Sequence, residues 1–277
     1  MIDKLELRTD YMKPEAIKTL GSKYDHFMVG DKNYRECHVF KSDKNHIITV
    51  KTNPVFPNAS FCSIELNPSK FKSVKDMTAL ISLISDEGLF IKRIDFAVDV
   101  PIPIEEIRKA IKAKHKRLRH DYKENDICTG FELGSDQEII CIYDKAYELL
   151  KRRKYRKLEG QIPKLMTRIE LRLRAKKIPF KSFDELQNYL DINPFKIIEF
   201  YKLDNLEGLS EFQLFQVKKL LITVDESGCL HGAIKRMNQN NNFKRDHKYL
   251  IRNTELENHI ADQFKSNLYA FLGGRHE

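Results

Sequence analysis

The sequence predicts an α+β protein whose first two thirds mix strands and helices without regular alternation, and whose last third is mainly helical. Three observations carry this. Runs with period-two alternation, such as KLELRT at 4–9, FIKRIDFAVDV at 90–100 and TRIELRLR at 167–174, read as strands. After Pro179 the apolar residues fall at helical spacing instead. With 41% hydrophobic residues in 277 positions the chain can bury a core, which excludes a disordered tail protein.

In chain order, 4–9 is a short strand, and Pro14 opens a helix through Leu20. HIITVK at 46–51 and SFCSIEL at 60–66 read as strands, with Asn67-Pro68 ending the second. From Ser73 to Ser85, Val74, Met77, Leu80, Ile81 and Ile84 share one helical face, with Ser73 and Asp76 near the start. The strand at 90–100 is stopped by Pro101 and Pro103, and a basic helix is expected from Ile104 to Arg119. EIICIYDK at 138–145 is a strand passing into the helical AYELLKRRK. Beyond the strand at 167–174, helices are expected at Ser182–Leu190, Pro194–Tyr201, Glu211–Val224 and Thr254–Leu272, with a turn at 225–228.

The charge is uneven. Lys and Arg number 49 against 40 Asp and Glu, a net +9, and a pI near 9.1 suggests a polyanionic partner. Arg108–Lys123 holds eight bases and one acid, Lys151–Lys157 holds six bases in seven residues, and Lys235–Lys248 mixes bases with Asn and Gln. Each segment alone reads as a solvated face; together they suit a surface that follows phosphates. The DNA-contact candidates they supply are Lys116, Arg117, Arg119, Arg152, Arg153, Lys235, Arg236, Lys244 and Arg245. Five scattered cysteines, no apolar run of membrane length and no signal-peptide pattern lead to the expectation of reduced thiols, a cytoplasmic chain and no membrane partner.

Strand alternation then sorts the polar residues by face. In RIDFAVD, Arg93, Asp95 and Asp99 lie opposite Ile94, Phe96 and Val98; in TRIELRLR, Arg168, Glu170 and Arg172 lie opposite Ile169, Leu171 and Leu173. Glu65 lies opposite Ile64 and Leu66, and Tyr143 shares a face with Cys141 and Lys145. Taken singly these are solvated ion-pair ladders and an amphipathic tyrosine. Together they have a chemical meaning. Carboxylates suit Mg²⁺ or Mn²⁺, which would withdraw charge from a scissile phosphate, and an activated tyrosine hydroxyl could attack it.

SIELNPSKF, IKRIDFAVDV, FELGSDQEIICIYDKAYE and LMTRIELRLR, in that order, resemble the rolling-circle replication initiators of Gram-positive plasmids, the pT181-type group. Relaxases of some integrative conjugative elements share these motifs. The resemblance implies an antiparallel-sheet nicking domain with helices on its faces at 1–180. The mainly helical region at 181–277 would then carry origin recognition, with 235–252 preferred. It implies that Tyr143 is the nicking nucleophile, that Asp95 and Glu170 build a metal site with Glu65 and Asp99 as further candidates, and that Arg168, Arg172 and Lys145 bind phosphate. Tyr147, four residues on, could be a second nucleophile but reads as packing on the helix.

The implied reaction is a metal-dependent transesterification at an origin that leaves a 5′-phosphotyrosine and a 3′-OH primer. Origin DNA with an unpaired or extruded nick site is the implied partner. No G-x-x-x-x-G-K-[ST] phosphate loop occurs, so unwinding would fall to a host helicase. The family often works as a homodimer, on which these residues are silent. The alternatives are a conjugative relaxase with the same chemistry and a non-catalytic DNA-binding regulator on this scaffold.

Overall fold

The computed structural model describes residues 1–43, 45–113, 118–151, 165–180, 185–186, 191–237 and 246–273. The strands of the amino-terminal part are β1 (Ile2–Thr9), β2 (Asp25–Met28), β3 (Tyr34–Ser42), β4 (Asn45–Pro54), β5 (Cys62–Leu66) and β6 (Phe90–Val100). There follow β7 (Ile111–Ala113), β8 (Leu118–Glu124), β9 (Ile127–Ser135), β10 (Glu138–Asp144), β11 (Thr167–Arg174), β12 (Ile198–Lys202) and β13 (Ile251–Arg252). The helices are α1 (Ala16–Gly21), α2 (Val74–Ser82), α3 (Ile104–Ala110) and α4 (Lys145–Lys151), then α5 (Glu211–Ser227), α6 (Leu230–Met237) and α7 (Thr254–Phe271). The protein is therefore α+β with a large antiparallel sheet, and every pairing whose register is described is antiparallel.

The chain divides into two compact units. The first comprises Met1–Ala97, Arg172–Ile192 and Phe264–Glu277. Its strand order is β2-β3-β4-β5-β1-β6-β11, using the first part of β6 and the end of β11. Alternation makes its core: Leu5 and Leu7 of β1, Ile48 and Val50 of β4 and Ile64 of β5 are all fully or almost fully buried. Phe96 of β6 meets Phe264 of α7 edge to face with ring centroids 5.2 Å apart, a contact worth about 1 kcal/mol beyond its buried area. Ser73 caps α2, its hydroxyl accepting from the Asp76 N–H, so that Met77, Leu80 and Ile81 turn inward.

The second unit comprises Val98–Leu171 and Asn193–Gln263. Its part of the large sheet runs β6-β11-β10-β9-β8, and a smaller sheet orders β13-β12-β7. A helical core gathers Val217, Leu220 and Val224 of α5 with Leu230, Ala233 and Met237 of α6. α5 opens on a full capping box between Ser210 and Gln213 and ends on Gly228, whose φ of 68° is the left-handed conformation glycine adopts freely.

Several elements differ from the expectation. The basic helix does not reach Arg119: α3 ends at Ala110, and the chain turns into β7 and β8. Ile111 pairs with Phe200 and Ala113 with Ile198, so a non-local pairing outweighs local helix preference. Residues 194–201 are not a helix either; a turn at Pro194–Ile197 leads into β12, where Ile198 and Phe200 are buried. β2, β3 and β9 come without an expectation. The helix expected at 182–190 lies almost entirely outside the described residues.

Candidate active site

In the second unit the β9–β10 hairpin carries Tyr143. Gly134, at φ 122°, lets the chain reverse, and a Cβ there would lie 2.2 Å from the Glu138 carbonyl oxygen. The register then sets Tyr143 opposite Gly130 and Ile142 opposite Phe131. Beyond Tyr143 the strand becomes a helix at once. The Asp144 carboxylate accepts from the Tyr147 N–H at 2.8 Å and caps α4, while the Lys145 N–H donates to the Met166 carbonyl at 2.8 Å, just ahead of β11. Tyr143 is thus held at a strand end by a hairpin on one side and a capped helix on the other.

The Tyr143 hydroxyl donates to Oε1 of Glu170 at 3.2 Å. Glu170 is buried in the middle of β11, and Tyr143 is half-buried. Two residues before Glu170, Arg168 grips Asp99 of β6 with both ends of its guanidinium, Nε to Oδ1 at 2.6 Å and Nη2 to Oδ2 at 2.7 Å. The Lys145 ammonium stands 5.6 Å from the centre of the Tyr143 ring and is ion-paired with Glu148 one helical turn on. Tyr143, Lys145, Arg168, Glu170 and Asp99 are therefore all built into the strands and the helix start of one unit.

The remaining predicted acids and Arg172 belong to the first unit. Asp95 is buried and bound by both Arg93 and Arg172, the latter at 3.4 Å. Glu65 accepts from Lys4 at 3.1 Å and from Lys51 at 2.6 Å, and Lys51 also pairs with Asp31 at 2.9 Å. Burial acts to raise the Glu65 pKa, but the hydrogen bonds and charges of Lys51 and Lys4 outweigh it and hold the carboxyl below its usual range. Lys51 is held above its usual range by the same two carboxylates, against its own burial.

Carboxylate chemistry suits Mg²⁺ or Mn²⁺, yet the donor geometry does not form a metal site as it stands. Among the described residues no group of three or more His, Cys, Asp or Glu could hold a metal ion. Asp95, Asp99 and Glu65 each hold a basic partner, and Glu170 holds the Tyr143 hydroxyl.

Of the DNA-contact candidates, Arg119 in β8 pairs with Asp136 at 2.7 Å, and Lys235 and Arg236 are exposed in the last turn of α6. Lys116, Arg117, Arg152, Arg153, Lys244 and Arg245 lie outside the described residues. Tyr147 hydrogen-bonds to Glu124, which pushes its pKa up. Glu148 was legible only as a spacing, three residues after Lys145 on a helix. Gly130, beside Tyr143, carried no signal of its own. All five cysteines are buried thiols outside any disulfide, and burial pushes the Cys62 thiol up to about 12. Among the described residues no helix is long and apolar enough to cross a membrane.

No family model matches the chain, and no curated protein matches it. Among solved structures it is similar to a rolling circle replication initiator protein from Geobacillus stearothermophilus. That match has 13% identity and a TM-score of 0.40, and it covers 79% of this chain and 94% of that one. At that level of similarity no residue role carries over.

Proposed function

We propose that this chain is a replication initiator that nicks one DNA strand at a specific origin and stays attached to it through Tyr143. The reading rests above all on the 3.2 Å hydrogen bond from the Tyr143 hydroxyl to the buried Glu170 carboxylate. A neutral tyrosine hydroxyl, with a pKa of about 10, is a poor nucleophile near pH 7; a carboxylate already holding its proton by a hydrogen bond is placed to take it.

The step balances simply. The Tyr143 oxygen bonds to phosphorus, its proton passes to Glu170, and the bond from phosphorus to the 3′ oxygen breaks. The 3′ oxygen leaves and takes a proton, giving a 3′-OH that primes synthesis. The phosphotyrosine keeps the bond energy, so a later 3′-OH can reverse the step. Lys145 and Arg168 supply positive charge beside the developing phosphorane. Arg168 would meet phosphate by sharing its fork with Asp99, which otherwise holds it in line. A bound Mg²⁺ or Mn²⁺ would withdraw charge from the phosphate. Because the acids do not form that site as they stand, the step is written without it.

The partners in this reading are origin DNA, a host helicase and a second copy of the chain. The test is incubation of supercoiled replicon DNA with the protein, with EDTA and with added Mn²⁺. Expected are relaxed circles and a protein-linked strand blocked at its 5′ end. An unchanged supercoil, or a strand blocked at its 3′ end, would reject the proposal.

A further inference from the structure

Tyr122 of β8, Gly130 of β9 and Tyr143 of β10 lie in one row across the sheet, because Gly130 pairs with Tyr122 on one side and with Tyr143 on the other. Paired residues in an antiparallel sheet point to the same face, so two tyrosines flank a position with no side chain. Two strand spacings separate them, roughly 10 Å. A Cβ on Gly130 would come within 3.1 Å of the Tyr143 Cβ and 3.5 Å of the Tyr122 ring, so the glycine keeps the space between them open. A shift in pairing register falls between Tyr122 and Lys123, and such bulges re-aim the side chains next to them.

The row lines an open cavity of about 420 Å³ together with Tyr147 and Lys151 of α4 and Glu124 of β8. That volume is in the range of small-molecule sites. Its exposed lining surface is mainly apolar and three tyrosines contribute to it, while Asp144 and Glu148 also line it. Lys151 is ion-paired with Glu124 and stands 5.5 Å from the centre of the Tyr147 ring.

We infer that this cavity takes a single unpaired nucleobase of the DNA strand, stacked against Tyr122. The inference rests on the proposed nicking reading in one respect only, that phosphate sits at Tyr143; the base would then be the one flanking the attacked phosphate. Planar bases bind aromatic side chains by stacking, and this holds for any base because each has a π-face. A base in duplex DNA is already stacked on both sides and is excluded, so the cavity selects unpaired strand beside the nucleophile.

The test uses the full chain and 12-residue oligothymidylates that carry one 2-aminopurine, placed at each position in turn. Stacking quenches this fluorophore. Quenching is expected at one position in the wild-type complex. Tyr122→Ala should relieve it and weaken oligonucleotide binding roughly 5- to 150-fold, while Tyr122→Phe, which keeps the ring, restores both. Gly130→Val should abolish quenching by filling the space, and Tyr122→Phe guards against misfolding as the cause.

Absence of quenching at every position, unchanged binding in Tyr122→Ala, or equal affinity for duplex of the same sequence would overturn the inference. Covalent adduct formation is followed in parallel on supercoiled replicon DNA. Quenching without adduct upholds the cavity and sinks the nicking reading; adduct without quenching does the reverse.

Discussion

Glu170→Gln separates a base from a bystander. The glutamine carbonyl can still accept the Tyr143 hydroxyl across the 3.2 Å that now separates it from Oε1, so geometry and hydrogen bonding survive. What is lost is the ability to take a proton. A positioned general base contributes about 10²–10⁴ in rate, or about 3–5 kcal/mol of barrier. Through this contact stability should change little, since the amide oxygen still accepts the Tyr143 hydroxyl. The assay is single-turnover formation of the protein–DNA adduct near pH 7, which the variant should slow by that factor of about 10²–10⁴. A rate within threefold of wild type would refute Glu170 as the proton acceptor.

Three further outcomes follow from the same geometry. Asp99→Ala leaves the buried Arg168 guanidinium without its bidentate partner and should cost about 3 kcal/mol in urea unfolding, whereas the Asp99→Leu, Arg168→Met double variant should cost less. Because the Glu65 carboxyl is depressed in the folded state, the unfolded chain binds more protons, so its contribution is present above about pH 4.3 and is lost as pH falls through the lower folded value. Glu65→Gln should flatten the fall in unfolding midpoint on acidification. Gly134→Ala forces a Cβ to within 2.2 Å of the Glu138 carbonyl at a φ of 122°, so it should lower the melting temperature by several degrees and slow adduct formation by displacing the Tyr143 hairpin.

How far residues spoke for themselves depended on how local their causes were. β6 and β11 follow alternation that is complete over 90–100 and 167–174, and the faces it assigned do carry the Arg168–Asp99 pairing. β8 is different: LRHDYKE has almost no buried side chain, so no apolar period betrays it, and its strand state comes from pairing with β9. β2 is exposed throughout and silent for the same reason. Ahead of β12, Pro194 and a run of apolar residues mimic a helix start, and pairing with the distant β7 and β13 decides for strand. The site divides along the same line. Tyr143, Lys145, Glu170 and the acid–arginine faces could be read from one-dimensional spacing, while the Tyr122–Gly130–Tyr143 row exists only through a register spanning three strands.

The most direct measurement is mass spectrometry of the protease-digested adduct, formed on oligonucleotides tiling the replicon that encodes the chain. The expected product is the peptide bearing Tyr143 joined to the 5′ phosphate of the cut strand, with the other fragment ending in a 3′-OH that a polymerase extends. DNA attached to Tyr147 or any other residue, or an adduct that persists in Tyr143→Phe, would contradict the assignment.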